Sequence, residues 1–246
     1  MAVGSDTAGP PGIEPHAQLR RSFVYRKLLD LGARFGPING GAVALDFGDL
    51  AEEVEIAHHM GLADLSPLPR TGFKGTGAVE WLEAQGLTIG PESNRAYRQA
   101  GGAMALRLAP TEVFLIDSLE GNGAIIDRLT RAWGWGVELP RQPIGYPLPR
   151  ADSHAWFALS GERAPEMFAK ICAIDLRLEK FPNGRIAQTS IAKMSGIVLR
   201  RDFGAVPGFH LLADSASADY LWDCLLDAMA EFDGGVVGLS VLRGFD

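Results

Sequence analysis

The sequence predicts an α+β fold built from two similar modules in tandem. A Gly-x-x-Ala-x-Glu pattern followed by two apolar residues occurs at 75–82 and again at 161–168. A Leu-Arg pair followed by a strand-like apolar run recurs in the same order at 106–116 and 199–212. Two segments that repeat in one order indicate a duplicated module. Pockets form preferentially where such modules meet, so we expect a functional site between them.

The composition favours a folded protein and excludes several functional classes. The chain has 246 residues, of which 47% are hydrophobic, and this is enough for a substantial core. A net charge of −7, with no run of Lys or Arg longer than two, argues against nucleic-acid binding. Cys172 and Cys224 fit buried thiols in a reducing compartment rather than a disulfide framework or a thiolate zinc site. Without a run of about 18 apolar residues or a signal pattern, we expect a soluble cytoplasmic protein with no membrane contact.

The N-terminal region predicts a tail and then a helix. Residues 1–17 are rich in Gly, Pro and Ala and lack a periodic apolar face, so we expect a flexible tail. Between residues 18 and 35, apolar residues are interleaved with arginines and a lysine. This pattern predicts a basic amphipathic helix, or two short helices, packed on its own domain. The segment opens the first α+β module, which we place at 18–138.

A strand and a capped helix follow. Residues 42–47 predict a short buried strand, and Asp49 is typical of a helix N-cap. The helix carries glutamates early and His58 and His59 late, an order that complements the helix dipole. Adjacent helical residues point about 100° apart, so the two histidines do not predict a metal site. Residues 61–75 are expected to end this helix and then to form a strand that enters a glycine-rich turn.

The remaining strands and helices are predicted from hydrophobic periodicity. Strand candidates are 103–108, 112–117, 156–160, 186–193, 196–200 and 209–213. Helix candidates are 78–85, 122–135, 164–173 and 216–232, the last with Ser215 as its cap. The order strand, helix, two strands, helix, strand is that of a ferredoxin-like split βαβ unit. Four prolines in the segment 139–150 predict a stiff connector, which places the second α+β module at 151–246.

Motifs of common enzyme classes do not occur. Gly72, Gly75 and Gly77 have the wrong spacing for a dinucleotide fingerprint, and no Gly-Lys-Ser/Thr completes a nucleotide loop. We therefore interpret these glycines as a tight strand-to-helix turn. The sequence also contains no His-Glu-x-x-His, Gly-x-Ser-x-Gly or Cys-x-x-Cys motif. It gives no support for a hydrolase or a zinc enzyme, and we assign no catalytic or metal-binding residue.

Polar side chains on three predicted strand edges are the candidates for cofactor binding. They are Tyr97, Arg98 and Gln99 on one edge, Gln188 on another, and Arg200 and His210 on a third. Arginine donors could hold a carboxylate or the tail of an anionic cofactor. Solvated strand faces and subunit contacts remain open as alternatives. Because His210 alternates with apolar neighbours, we expect a half-buried histidine rather than a general base.

Several segments resemble the glycine-cleavage T-protein (aminomethyltransferase) superfamily. In that superfamily an acidic helix precedes a Gly-Leu-x-Asp-apolar-Ser turn, which occurs here as Gly-Leu-Ala-Asp-Leu-Ser at 61–66, and a strand then leads into a Gly-x-x-Ala helix. Residues 156–164 are similar to the second such element. Residues 172–192 look closer still to the γ subunit of heterotetrameric sarcosine oxidase. The similarity covers most of residues 40–242.

The resemblance implies a T-protein-like arrangement of duplicated ferredoxin-like modules around a folate-sized opening, without the C-terminal third domain. It also implies a role in moving one-carbon groups released from N-methylated amines. This chain departs from the superfamily at two carboxylates. Residues 93–104 contain no Asp or Glu where a carboxylate positions the folate, and His210 follows Gly208-Phe209 where the superfamily has a second carboxylate. A γ-type subunit would tolerate both departures.

The resemblance leaves three hypotheses for the function. In the first, the chain is a non-redox subunit of a heteromeric N-methylamine demethylating oxidase or monooxygenase, of the sarcosine oxidase or dimethylamine monooxygenase kind. Flavin, iron or haem then sits on other chains, and this chain handles the released formaldehyde or structures the complex. In the second, it is an autonomous one-carbon transferase that binds tetrahydrofolate between its halves and holds the glutamate tail with Arg or Lys. The third is a structural paralogue without a ligand.

Overall fold

The computed structural model describes residues 12–133 and 145–245 of the chain. The first part of the predicted N-terminal tail and residues 139–144 of the predicted connector lie outside this described part. The strands are β1 (Arg20–Arg21), β2 (Arg34–Ile38), β3 (Gly41–Asp46), β4 (Gly61–Asp64), β5 (Arg70–Lys74), β6 (Arg95–Arg98), β7 (Met104–Ala109), β8 (Glu112–Ile116), β9 (Tyr146–Leu148), β10 (His154–Ser160), β11 (Ile186–Ile191), β12 (Met194–Arg200), β13 (Gly208–Asp214) and β14 (Gly235–Val236). The helices are α1 (Tyr25–Asp30), α2 (Leu50–Met60), α3 (Ala78–Ala84), α4 (Ala124–Trp133), α5 (Arg150–Ser153), α6 (Ala164–Ile171), α7 (Ala218–Ala230) and α8 (Leu239–Phe245).

The strands form two large sheets and one small sheet. The first large sheet has the order β6-β7-β8-β5-β9 and is antiparallel throughout. The second has the order β11-β12-β13-β10-β4-β14 and is antiparallel except for its β4-β14 pair. The small sheet has the order β1-β3-β2. An antiparallel bridge between Arg95 and Arg185 joins the β6 edge of the first large sheet to the β11 edge of the second.

Each large sheet is covered by helices on one face and meets the other sheet with its opposite face. The apolar residues of α3 and α4 pack on Phe73 and Leu115 of the first large sheet. Those of α6 and α7 pack on the second, where Trp222 contacts Phe157 with ring centroids 5.2 Å apart. The two remaining faces form a shared core, which we call the inter-sheet layer. Its members include Leu106, Phe114, Ile116, Trp156, Leu199, Phe203 and Leu212.

The mixed α+β class and the four long helices predicted in the two halves are confirmed. Helices α3, α6 and α7 lie within the predicted ranges and are shorter by one to four residues in total. Helix α4 begins two residues later than predicted, and residues 134 and 135 of its predicted range lie outside the described part of the chain. The predicted N-cap of α2 is also confirmed, because Asp49 Oδ1 accepts hydrogen bonds from the main-chain N–H groups of Ala51 at 3.0 Å and Glu52 at 3.2 Å. These helices could be predicted from sequence because each has a periodic apolar face, and the same face is buried against a neighbouring sheet in the structure.

Two predictions for the helices are wrong. The basic segment 18–35 forms only the six-residue helix α1 before the chain turns at Gly32, which has φ +86°, and enters β2. The Nζ of Lys27 lies 2.6 Å from Oδ1 of Asp223 on α7, so α1 packs on its own chain as expected. Ser215 does not cap the last helix. Its hydroxyl donates to the carbonyl of Asp152, and it belongs to a short 3-10 turn, Ser215–Ser217, that Asp214 caps and that precedes α7.

The strand order differs from the predicted split βαβ unit. In each half three strands, rather than the two of that unit, separate the helices. The three in the second half, β11, β12 and β13, are at the predicted positions, whereas in the first half β6 precedes the two predicted strands β7 and β8. Strand β6 was not predicted, because its Arg-Ala-Tyr-Arg sequence has only one fully buried position and therefore lacks the alternation typical of a strand. Strand β4 was expected to be a helix-breaking turn, and instead it pairs with β10 and β14 in the second large sheet.

Candidate functional site

The inter-sheet layer lies between the two halves of the chain, where the sequence predicts a functional site. In the described part of the chain, large side chains fill this layer. Phe114, Trp156 and Phe203 are completely buried in it, as are the leucines that face them from both sheets. Packing of this density leaves space for ligands at the ends of the layer, where two open clefts occur.

His210 is the one predicted candidate that lies inside the layer. It stands on β13 beside Leu199 of β12 and Ala158 of β10, and it is fully buried rather than half-buried as expected. The indole Nε1–H of Trp156 donates a hydrogen bond of 2.9 Å to Nδ1 of His210. Because Nδ1 accepts, the proton of the neutral ring is on Nε2, which is buried and has no hydrogen-bond partner among the described residues.

The environment of His210 keeps its imidazole neutral. Burial, followed by the nearby positive charge of Arg201, lowers its pKa well below 6.5. A desolvated histidine beside a cation disfavours a second proton. Since its only described hydrogen bond is to Trp156, His210 acts as a packed polar member of the core. The structure therefore gives it no arrangement for general base chemistry.

The first cleft contains two of the predicted candidates, and we call it the Arg98 cleft. It has a volume of about 290 Å³ and is lined by Arg98, Gln99, Gly101, Gly102, Ser118, Leu119, Glu120 and Arg243. The side chain of Arg98 is exposed at the end of β6 and makes no hydrogen bond or ion pair in the described part of the chain. Gln99 is buried, and its amide is satisfied by the main chain of Thr88 at 2.9 and 2.8 Å and of Tyr97 at 2.8 Å.

The second cleft contains a third candidate, and we call it the Gln188 cleft. It has a volume of about 350 Å³ and is lined by His154, Gln188, Thr189, Ser195, Gly196, Ile197, Leu212 and Ala213. The Nε2 of Gln188 donates to Oδ1 of Asn94 at 2.7 Å and to the carbonyl of Leu108 at 2.8 Å. Both acceptors belong to the first half, so Gln188 closes the seam between the two large sheets.

Tyr97 and Arg200 lie outside both clefts. The hydroxyl of Tyr97 bonds to the main chain of Glu92, accepting from its N–H at 3.0 Å and donating to its carbonyl at 3.1 Å. Arg200 donates to the carbonyls of Leu178 at 2.7 Å and Phe181 at 2.8 Å and pairs with Asp202 at 3.0 Å. Both side chains are thus used in holding loops. Of the six candidates, the structure brings only Arg98 and Gln99 together.

Two residues of the Arg98 cleft were not identified from the sequence. Ser118 follows β8 and is 5% exposed, and its hydroxyl has no hydrogen-bond partner among the residues described. Arg243 comes from α8, and its guanidinium donates to the carbonyls of Leu119 at 3.0 Å and Glu120 at 3.1 Å. No local motif marks either residue, because the cleft combines segments that are distant in the sequence.

Arg70 is a further buried charge that the sequence analysis did not predict. It stands at the start of β5 and is 3% exposed. Its two terminal nitrogens donate to the carbonyls of Ser66, Leu68, Ala151 and His154, with distances of 2.9 Å to Leu68 and 2.8 Å to Ala151. Burial lowers the pKa of Arg70 to about 10, so the guanidinium is still charged at neutral pH. This side chain fastens the first large sheet to the segment that precedes β10.

The described residues contain no arrangement of three or more His, Cys, Asp or Glu side chains that could hold a metal ion. Cys172 and Cys224 are free and half-buried. Within the described ranges, none of the helices has the length and apolar character needed to cross a bilayer.

Comparison with known sequences gives one consistent group of relatives. Residues 146–244 match the family described as the GCVT N-terminal domain. The aminomethyltransferase of Parafrankia sp. (strain EAN1pec) is 27% identical over 244 residues, which cover 91% of this chain and 62% of the relative. The aminomethyltransferase of Thermotoga maritima is 21% identical over 239 residues, covering 90% and 62%. The chain thus spans a little under two thirds of the length of these relatives.

Two solved structures share the fold. Aminomethyltransferase T of the glycine cleavage system from Bartonella henselae superposes with a TM-score of 0.67 and 20% identity, covering 92% of this chain and 62% of that one. A chain of the heterotetrameric sarcosine oxidase from Corynebacterium sp. U-96, in complex with pyrrole 2-carboxylate, superposes with a TM-score of 0.59 and 22% identity. That match covers 77% of this chain and 95% of the sarcosine oxidase chain.

Proposed function

From the relation of this chain to the T-protein (aminomethyltransferase) superfamily, we propose that it is a non-redox subunit of a heteromeric enzyme that oxidatively demethylates N-methylated amines. In this proposal the redox cofactor belongs to other chains, and this chain structures the complex or handles the released one-carbon unit. The observation that carries the proposal is the packed inter-sheet layer. Where the superfamily implies an opening for folate, this chain has a core of aromatic and aliphatic side chains around a neutral histidine.

Two further observations support a subunit rather than an independent transferase. The carboxylates that the superfamily uses near the folate have no counterpart in residues 93–104, and His210 is buried and neutral where the second would stand. The fold match also covers 95% of the sarcosine oxidase chain, against 62% of the aminomethyltransferase chain. The chain therefore resembles nearly the whole of the sarcosine oxidase chain but only a part of the aminomethyltransferase chain.

The test is to recover the full-length tagged protein from its native host under mild conditions and to identify the accompanying chains by mass spectrometry. We expect near-stoichiometric recovery of a chain that carries flavin, haem or iron, seen in the absorption spectrum of the purified complex. The complex should release formaldehyde from an N-methylated amine, and its redox chain should lose stability or activity when this chain is removed. Recovery of the tagged protein with no redox chain would overturn the proposal.

A second candidate function is binding of tetrahydrofolate at the Gln188 cleft. The observation that favours it is that Leu212 lines this cleft. Leu212 on β13 is directly paired with Trp156 on β10. The cleft volume of about 350 Å³ lies at the lower end of the range for small-molecule sites, so it would take only a part of the cofactor. Within this candidate the chain's residues would orient the bound part and exclude water from it.

Tryptophan fluorescence distinguishes this second candidate. We expect tetrahydrofolate to quench the wild-type protein with saturation, and a Trp156→Phe variant to lose most of the signal. Trp222→Phe is the matched control, because Trp222 belongs to α7 and packs on Phe157 at the helix-covered face of the same sheet. This variant should keep the fluorescence response. If millimolar tetrahydrofolate causes no saturable quenching, this candidate is eliminated and the subunit proposal is unaffected.

A further inference from the structure

We propose that the Arg98 cleft is a binding site for the carboxylate of a small monoanionic molecule. Arg98 lies at the end of β6 with its guanidinium at the cleft and without a carboxylate or carbonyl partner in the described chain. The other arginine that lines the cleft, Arg243, is engaged with the carbonyls of Leu119 and Glu120. A guanidinium offers paired N–H donors in the geometry that a carboxylate accepts.

A second observation at the same cleft also points to a ligand. Ser118 lines the cleft and is only 5% exposed, and its hydroxyl is buried without a hydrogen-bond partner in the described part of the chain. A buried hydroxyl is normally hydrogen-bonded, because leaving it unpaired costs free energy. In the proposed bound state, a change of the Ser118 side-chain rotamer turns this hydroxyl toward the ligand and relieves that cost. Arg98 is then the first donor for the oxyanion, and Ser118 is the second.

The shape of the cleft allows a ligand to come close to the main chain. Gly101 and Gly102 form its third side, with φ values of +79° and +86° that favour glycine. An added Cβ at Gly102 would lie 3.2 Å from the Cβ of Ser118, so this glycine keeps the space beside the hydroxyl free. A volume of about 290 Å³ accommodates a carboxylate together with a short polar body.

The charges of the cleft favour a monoanion over phosphate. Arg98 and Arg243 face the single carboxylate of Glu120, which lies 3.8 Å from the guanidinium of Arg243. The cleft therefore has one net positive charge. A phosphate group carries about 1.5 to 2 negative charges at neutral pH and would be repelled by Glu120 more strongly than a carboxylate is. A carboxylate carries one and matches the charge of the cleft. The inference does not rest on the proposed function, since it uses only groups within this chain.

The experiment is isothermal titration of the full-length protein with a matched pair of probes, N-acetylglycine and its neutral amide. We expect N-acetylglycine to bind at millimolar concentration or tighter and the amide to bind at least about tenfold more weakly, because it lacks the charge that Arg98 recognises. Arg98→Gln should weaken N-acetylglycine binding by about tenfold or more, and Ser118→Ala by a smaller factor. Arg131→Gln removes an exposed arginine of α4 outside the cleft and should leave binding unchanged.

Inorganic phosphate is the competing probe. Binding of phosphate as tight as that of N-acetylglycine, with the same loss in Arg98→Gln, would show a general anion site and overturn the carboxylate assignment. The proposal also fails if the wild-type protein binds neither acid nor amide, or if Arg98→Gln and Arg131→Gln bind the acid equally well. Thermal unfolding of each variant is followed in parallel, and since Arg98 is exposed and unpaired, its variant should melt with the wild type.

Discussion

His154 is the titratable side chain in the structure whose environment has the clearest consequence for pH. It begins β10, its Nε2 lies 3.4 Å from Nη1 of Arg150, and its carbonyl accepts a hydrogen bond from Arg70. Burial, and then the charges of Arg150 and Arg70, lowers the pKa of its imidazole from 6.5 to about 4. The native protein thus holds His154 in its neutral form, and a proton added to it would sit between two guanidinium groups.

We predict that the free energy of unfolding falls as the pH drops from about 6.5 to about 4. Over this window the unfolded chain binds a proton at His154 and the native chain does not, so protonation favours unfolding. The stabilisation is complete above pH 6.5 and amounts to about 2 to 3 kcal/mol. Urea unfolding at pH 7 and pH 4.5 measures it. His154→Gln should make the dependence less steep and leave the part that the buried His210 contributes, whereas His59→Gln, at an exposed site on α2, should follow the wild type.

The hydrogen bond between Trp156 and His210 gives a second prediction for a single side chain. Trp156→Phe keeps a ring in the inter-sheet layer but leaves Nδ1 of His210 buried without its donor. We expect a loss of about 1 to 3 kcal/mol in the free energy of unfolding, measured in urea. Trp222→Phe is the matched control, because the indole nitrogen of Trp222 is buried and has no partner among the described residues. A cost for Trp156→Phe no greater than for Trp222→Phe would contradict the prediction.

The turn between β10 and α6 shows why one glycine of the repeated Gly-x-x-Ala pattern is required. Gly161 has φ +108°, and the next two residues donate their N–H groups to the carbonyls of His58 at 3.0 Å and His59 at 3.1 Å. These are carbonyls at the C-terminal end of α2, which would otherwise lack partners. The turn therefore caps α2 from the other half of the chain, and a side chain on Gly161 would stand in the contact.

We predict that Gly161→Ala destabilises the protein by roughly 3 kcal/mol or more. An added Cβ would lie 2.3 Å from the carbonyl oxygen of His59, so either the turn or α2 has to move. Gly86→Ala separates this clash from backbone strain, because Gly86 has φ +83° and no atom within 4 Å of an added Cβ. It should cost about 1 kcal/mol. Equal thermal shifts for the two variants would show that strain alone explains the effect.

Helices were predicted more reliably than strands because their signal is longer. Helices α3, α4, α6 and α7 each present an apolar face over two or more turns, and the faces are buried as the pattern requires. Strand β4 has four residues that are all buried, so it shows no alternation and is indistinguishable from the end of α2 in sequence. The cap at Ser215 failed because Ser215 lies in a 3-10 turn before α7, and its hydroxyl bonds to the carbonyl of Asp152 instead.

The seam between the two large sheets decides whether the protein behaves as one folded unit. The N–H groups of Ala96 and Ile186 bond across it to the carbonyls of Gly184 and Asn94, each at 2.9 Å. Gln188 adds two side-chain bonds to the same edge. These hydrogen bonds fix the register of the β6 and β11 edges, whose residues Ala96 and Ile186 also pack in the inter-sheet layer.

We predict that Gln188→Leu lowers the free energy of unfolding by about 1 to 2 kcal/mol and opens the seam locally. The variant removes the donor that two acceptors of the first half share. Hydrogen exchange should accelerate at the amides of Ala96 and Ile186 more than at amides in β12 or β13. Thr189→Val changes the next residue of β11, whose side chain makes no hydrogen bond within the described residues, and it should leave the exchange rates unchanged. Uniform acceleration over both sheets would instead indicate global destabilisation.

The candidate clefts could be predicted only in part because they combine distant segments. Arg98 and Gln99 are adjacent in sequence and could be identified as polar residues at a strand edge. Ser118 and Arg243 join them only after β8 and α8 come together, and neither carries a recognisable pattern. His210 was identified, yet its burial depends on Trp156, which stands 54 residues earlier in the chain. The sequence alone therefore identifies candidate polar residues, and the topology determines which of them lie close together.

Strand β4 has a consequence for how the chain can be made. It leaves the ribosome early, but its two hydrogen-bonded neighbours, β10 and β14, are residues 154–160 and 235–236. Until those segments emerge, a strand whose residues are all buried in the finished protein has no partner. Pairing over such separations is slow, and unpaired strands associate with other chains. A nascent chain of this protein therefore needs shielding of β4 until residues 154–160 and 235–236 have emerged, and the second large sheet is completed only then.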